Sequence, residues 1–228
     1  MRVTLTAVTK GPKNSALPET TLEFASGAVT FARAETERRP TVLGLIASGR
    51  MRPDAGTVTL DGHTDYSGLR RQVALVDALG VSEPAADVKV DEVVAEELMF
   101  AGRLGRRRTV KRVLTEIGLA DQARSDMGDL APDDRIRLLT ELAVLRDGVL
   151  GLVLTSPDRH GGDPLGWWDV AGGLAARGYA VLVIAGDASA HAIADLELTN
   201  LEPSGELPGE LPAGLARSPL TPAGADVL

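Results

Sequence analysis

The residues most suggestive of catalysis are Ser156 and His160, which follow the apolar stretch 149–154. A serine near a histidine can act as a nucleophile activated by a general base. No G-x-S-x-G turn surrounds Ser156, and the chain contains only three histidines, so the sequence argues against this chemistry.

Asp77 ends another apolar stretch and could bind a hard cation. A solvated carboxylate at the end of a strand is the favoured interpretation of Asp77.

The stretch 34–62 contains the clearest sequence of predicted elements: a helix, a turn and a strand. Pro40 suits the first turn of a helix, because its φ is fixed and its missing N–H would have no intrahelical partner. A turn at 52–56 and a strand at 57–60 are predicted after this helix. In this arrangement the chain resembles the ATP-binding cassette (ABC) ATPase family, where a phosphate loop of the form G-x-x-x-x-G-K-[S/T] opens the same helix.

The resemblance implies that the phosphate loop falls on residues 34–41. Such a loop works because glycines bring backbone N–H groups close to the phosphates, a lysine neutralises the β and γ oxygens, and a hydroxyl holds magnesium. Here Ala34 and Arg39 stand in place of the two glycines. Pro40 replaces the lysine, and only Thr41 fits the pattern. Because Pro40 has neither an ammonium group nor an N–H, the helix can persist without the phosphate site.

Two further motifs of the family lack their functional groups. The strand before Thr155 resembles the one that presents a magnesium-binding aspartate and a general-base glutamate, but Thr155 and Ser156 replace both carboxylates. The family's signature sequence L-S-G-G-Q caps a helix onto the γ-phosphate. Its glycines become Asp133 and Asp134 here, which would cap the following helix and repel a triphosphate.

The last switch of the family is a T-H-D sequence whose histidine reaches the γ-phosphate. Gly186 replaces that histidine, while Asp187 is retained. At Asp77 the family has a glutamine that contacts magnesium, followed by a loop that senses the transmembrane partner. No aromatic residue stands where the family stacks adenine. The resemblance therefore implies a vestigial nucleotide site in which only Thr41 and Asp187 agree with the family.

The fold implied by the resemblance is an α/β, P-loop NTPase-like ABC ATPase core with a mixed sheet and flanking helices. We expect an ABC ATPase-like domain over 1–202, with antiparallel strands in 1–33 and a helical subdomain at about 83–147. Residues 190–201 resemble the last short helix and strand of the family domain. The Pro- and Gly-rich sequence 203–228 predicts an extended tail.

Composition limits the classes of partner. The chain has 228 residues and a formal net charge of -8, and this negative charge argues against nucleic-acid binding. It has no cysteine, which excludes disulfides and thiolate metal sites. The basic run 103–108 is expected to be a solvated corner. The longest apolar stretches are too short to span a bilayer. We expect a cytoplasmic protein that reaches the inner face of the cell membrane only through a partner.

The resemblance, with its functional residues replaced, therefore implies a catalytically inactive ABC ATPase-like protein, a pseudo-ATPase without cofactor or metal ion. By resemblance, its partner would be a membrane permease or a second ABC-type subunit, with which it could form a dimer. One alternative is a divergent, working ATP-binding subunit in which Arg38 or Arg39 replaces the lysine. Another is a cytosolic module that binds a small anionic ligand through Arg38, Arg39 and the vacated pocket.

Overall fold

The computed structural model describes residues 1–35 and 38–201, and the side chains up to Asp195. The predicted tail at 203–228 lies outside the described residues. Within these ranges seven strands form two sheets, one antiparallel with the order β2-β1-β4 and one parallel with the order β3-β7-β6-β5. The strands are β1 (Arg2–Lys10), β2 (Leu17–Ala25), β3 (Val29–Arg33), β4 (Ala55–Leu60), β5 (Val73–Val76), β6 (Gly151–Thr155) and β7 (Ala180–Ala185).

Seven α-helices join and cover these strands in the described part of the chain. They are α1 (Arg39–Ala47), α2 (Tyr66–Gln72), α3 (Val90–Phe100), α4 (Arg107–Ile117), α5 (Pro132–Ala143), α6 (Pro164–Ala176) and α7 (Asp187–Leu201). The helix predicted at Pro40 is present, and Pro40 lies in its first turn. None of the described helices combines the length and apolar composition needed to cross a membrane.

Two predicted elements differ from the structure. β3 was expected to be antiparallel, but it pairs in parallel with β7, with Phe31 opposite Val183. Period-2 patterning shows which face of a strand is buried, whereas the connections between strands determine their direction. Residues 190–201 were expected to include a strand, but α7 continues as one helix to Leu201.

The parallel sheet forms the centre of the core because β6 and β7 are buried along their whole length. Their continuous apolar sequences are typical of strands covered on both faces. On one face α1 comes very close to β6: a Cβ added at Gly44 would lie 2.6 Å from Cγ2 of Thr155. This packing brings the start of α1 beside the carboxyl ends of β3, β6 and β7, where residues at the ends of several strands meet.

Candidate functional site

A shallow pocket lies at the carboxyl ends of β3, β6 and β7, where the vestigial nucleotide site was predicted. Its volume is about 290 Å³. Four of the predicted positions line it, together with three residues that the sequence did not single out: Ala34, Pro40, Ser156 and Gly186, and Glu35, Asp158 and Arg159. The structure thus brings together segments that are about 150 residues apart in the chain.

The other predicted positions lie off the lining of this pocket. Thr155 is 1% exposed and faces α1 through its methyl group. Its hydroxyl is 3.4 Å from the Val76 carbonyl oxygen. Thr41 and Arg39 are half-buried in the first turn of α1. Thr155 therefore acts as a packing residue, since its hydroxyl cannot reach a ligand in the pocket without a change in the core.

Two carboxylates bind the backbone N–H groups at the end of β7. The Asp158 carboxylate accepts a hydrogen bond from the Gly186 N–H at 2.9 Å. The Glu35 carboxylate accepts one from the Asp187 N–H at 2.7 Å. Consecutive N–H groups of this kind at a helix N-terminus can bind phosphate. Here the chain's own carboxylates already occupy those donors.

Gly186 allows this arrangement because it has no side chain. A Cβ added there would lie 3.2 Å from Oδ2 of Asp158 and 3.3 Å from Oε1 of Glu35. A histidine at this position would press against both carboxylates. The nearest cation on the lining, Arg159, is itself paired with Asp77 and Glu83. A triphosphate entering this pocket would therefore meet two carboxylates, and none of the described lining residues would offer it an unpaired guanidinium group.

The stretch aligned with the family's signature sequence also differs from the expectation. Asp133 and Asp134 lie in the first turn of α5, but neither caps the helix, because the N-cap residue is Ala131 and Pro132 follows it. Asp134 pairs instead with Arg137 at 3.2 Å. Acidic side chains in a first turn still interact favourably with the helix dipole. The two aspartates therefore retain a structural role, without the predicted capping bond.

Asp77 is buried, so the prediction of a solvated carboxylate was wrong. Arg135 binds it with both arms of its guanidinium group, at 3.2 Å from Nε and 2.9 Å from Nη2. His160 lies 2.7 Å from the same carboxylate. Arg159 pairs with Asp77 at 3.1 Å and with Glu83 at 3.1 Å. We refer to these five residues as the charge cluster.

The charge cluster changes the acidity of Asp77. Burial by itself would raise the pKa of this carboxyl group. Hydrogen bonds from His160 and Arg135, together with the positive charges of Arg159 and Arg135, outweigh burial and lower the pKa to about 2. Asp77 is therefore ionised at neutral pH, and the cluster ties the end of β5 to α5 and to the segment after β6.

Asp77, Glu83 and His160 each offer an atom that could bind a metal ion, and these atoms lie within 4.8 Å of one another. The Asp77 and Glu83 carboxylates, however, already accept hydrogen bonds from Arg135 and Arg159, and Nε2 of His160 is bonded to Asp77. Two guanidinium groups at this distance would also repel a cation. The residues thus fit an ion-pair network better than a metal centre.

Because His160 contacts Asp77 through Nε2, it also offers no support for a Ser156–His160 catalytic pair.

Sequence reasoning missed Glu35, Asp158 and Arg135 as site residues. Glu35 directly follows Ala34, and Asp158 lies two residues after Ser156, so both lie beside positions predicted for the nucleotide site. The signal that could have identified Glu35 and Asp158 is the presence of a carboxylate next to Ala34 and close to Ser156. No local pattern points to Arg135, because its partner Asp77 is 58 residues away.

No protein-family model and no curated protein matches the chain. Many solved structures are similar to it, and two of them illustrate the likeness. An ATP-binding subunit of an ABC transporter has 18% sequence identity and a TM-score of 0.57, over 82% of this chain and 80% of that chain. An ABC transporter ATP-binding protein from Pyrococcus furiosus has 12% identity and a TM-score of 0.59, over 82% of this chain and 92% of that chain. The chain therefore has the α/β fold of the ATP-binding subunits of ABC transporters.

Proposed function

We propose that this protein is a catalytically inactive ABC ATPase-like protein that acts as a structural or regulatory partner of a membrane transporter or of another ATPase subunit. It would work in the cytoplasm and reach the membrane through that partner. The observation that carries the inactive state is the pair of carboxylates, Glu35 and Asp158, on the N–H groups of Asp187 and Gly186. The two carboxylates place hydrogen-bond acceptors at a position where a phosphate group would need hydrogen-bond donors.

The residues at the positions aligned with the family's catalytic groups support the same proposal. Hydrolysis of a phosphoanhydride needs a positive charge on the phosphates, a magnesium ligand and a residue that orients the attacking water. Pro40 carries no charge, and Thr155 is buried in the core. Ser156 lines the pocket, but a serine hydroxyl is a weak base without a partner that takes its proton.

The first test is the affinity for ATP with and without magnesium. Because the pocket presents two carboxylates to the ligand, we expect the isolated chain to bind ATP more weakly than about 1 mM under both conditions. Isothermal titration calorimetry on the full chain measures this. Submillimolar affinity that depends on magnesium would contradict the proposal. If the variant Arg38→Gln/Arg39→Gln then lost that affinity, the chain would instead be a divergent ATP-binding subunit.

A companion measurement uses the variant Pro40→Lys. It restores the ammonium group at the start of α1 but leaves Thr155, Ser156 and Gly186 in place of the remaining catalytic groups. We therefore expect no ATP turnover above the background of the wild-type chain in a phosphate-release assay. Turnover in this variant would show that the other sites are less damaged than the sequence indicates.

The partner role is supported by where apolar side chains are exposed. Of the large hydrophobic residues that the structure shows as exposed, all but Leu150 lie after β5 or around the end of α3: Leu79, Val81, Met99, Phe100 and Leu104. Met99 and Phe100 are 64% and 66% exposed. Val81 and Phe100 line one cavity between these two segments, and exposed apolar residues that lie together are typical of surfaces that bind another protein. We name this set the apolar patch.

The second test is whether a membrane protein depends on the apolar patch for capture. Affinity purification of the full chain from its native cell is expected to recover a multi-span membrane protein. The variant Met99→Ser/Phe100→Ser should reduce recovery by about tenfold, since it removes two exposed contact residues. The control Leu150→Ser changes an exposed leucine outside the patch and should have no effect. Equal recovery with all three chains, or no membrane protein at all, would count against the partner role.

A further inference from the structure

Four arginines gather in a second cavity, at the amino ends of β5 and β6. This is the opposite edge of the parallel sheet from the pocket described above. Its volume is about 440 Å³. The arginines are Arg50, Arg70, Arg71 and Arg146, and we call the cavity the arginine cleft. Asp147 is the one carboxylate among the described residues on its lining.

Neutral groups hold three of these arginines in place. Arg50 donates a hydrogen bond to the Val73 carbonyl at 2.9 Å, and Arg70 donates one to the Gly49 carbonyl at 3.1 Å. Arg71 donates to a serine hydroxyl one turn earlier in α2. Within the described parts of the chain none of the three is paired with a carboxylate. Their charges are therefore positioned by the fold without being neutralised by it.

The fourth arginine is only partly compensated. Arg146 lies 3.4 Å from Glu97, on the side of the cleft formed by α3. Burial of the Arg50 guanidinium, together with repulsion from Arg146 and Arg70, lowers the pKa of Arg50. Like charges held close together raise the free energy of the unliganded cleft. An anion bound between them would relieve this repulsion.

The cleft also has apolar walls. Val73, Ala74, Phe100 and Val149 line it beside the arginines. Phe100 is largely exposed, so its ring is available to a ligand. A volume of this size falls within the range of about 300–1,000 Å³ that is usual for small-molecule sites. A guanidinium group can bind two phosphate oxygens through two parallel N–H···O hydrogen bonds. The Phe100 ring offers a surface on which the apolar part of a ligand can pack.

We propose that the arginine cleft binds a small organic anion whose phosphate group contacts the arginines and whose apolar body packs on Phe100. The inference goes beyond the proposed function: the cleft and the vestigial nucleotide pocket lie at opposite ends of the strands, although Phe100 belongs both to the cleft and to the apolar patch. From the sequence, an anion site was expected at Arg38 and Arg39. In the structure the cluster of arginines that we propose as an anion site is a different one, the arginine cleft.

The experiment compares phenyl phosphate with inorganic phosphate by calorimetry on the full chain at low ionic strength. Phenyl phosphate is expected to bind about tenfold more tightly, because its ring is removed from water against Phe100. The variant Arg70→Gln/Arg71→Gln should weaken both probes by at least about tenfold. Both residues are exposed, so the variant should fold. Phe100→Ala should weaken phenyl phosphate alone.

The matched control is Arg106→Gln/Arg107→Gln, which removes the same charge from two exposed residues that do not line the cleft. It should leave the affinity of both probes unchanged. The proposal is overturned if neither probe binds the wild-type chain, or if this control weakens binding as much as the cleft variant. It is also overturned if Arg38→Gln/Arg39→Gln weakens binding while Arg70→Gln/Arg71→Gln does not.

Discussion

Replacing Asp77 by alanine is expected to lower the free energy of unfolding by about 3–5 kcal/mol. The reason is that Arg135, which is 3% exposed, would keep its buried charge and lose both hydrogen bonds to the carboxylate. Arg135 would still donate to the Met127 carbonyl, but a neutral acceptor only partly compensates a buried cation. Urea denaturation of the full chain measures the change.

Two further variants separate the charge from the packing. Glu83→Ala removes a partly exposed member of the charge cluster, and its effect should stay within about 1 kcal/mol. The double variant Asp77→Leu/Arg135→Met replaces the buried pair by apolar groups and should be more stable than Asp77→Ala. If Asp77→Ala were no less stable than Glu83→Ala, the cluster would contribute little to the fold.

The same cluster predicts a loss of stability in acid. The folded-state pKa of Asp77 is about 2, below the ordinary value of 3.8. Its contribution is therefore fully present above the ordinary value and is lost as the pH falls through the folded value. At roughly 1.4 kcal/mol per unit the loss is about 2 kcal/mol. In Asp77→Asn this part of the pH dependence between pH 5 and pH 2 should disappear.

Replacing Trp167 by alanine is expected to cost about 3–5 kcal/mol of stability. Trp167 lies in α6, is 0% exposed and is the largest fully buried side chain among the described residues. Its removal would leave a cavity that the rigid parallel sheet beneath α6 cannot readily fill. Thermal and urea unfolding of the full chain should both show the loss, with the change in midpoint rather than in slope.

The neighbouring Trp168 provides the control. It is half-buried, and its ring lies 6.0 Å from the ring of Phe31, on β3. Trp168→Ala should therefore cost only about 1 kcal/mol, although the two substitutions remove the same side chain. A larger loss for Trp168→Ala than for Trp167→Ala would mean that α6 is oriented differently. The sequence presents the two tryptophans as a pair, and their burial distinguishes them.

Local patterns in the sequence were enough to predict single elements, but they did not give the direction of β3. The alternation of Val3 and Leu5 with polar residues predicts β1, and Pro40 predicts the start of α1. These signals act over a few residues, because they reflect backbone preferences and the burial of one face. That Pro40, and not a lysine, stands at the start of α1 is likewise a property of the sequence alone.

Only the tertiary structure decided what surrounds those positions. It buried Asp77 against Arg135 and placed Glu35 and Asp158 on the N–H groups after β7. It also gathered the arginine cleft from α2 and from the segments that follow α1 and α5. Each of these contacts joins residues that are far apart in the chain. Charge pairing and burial depend on distance in space, which follows from the direction and order of the strands rather than from any local pattern.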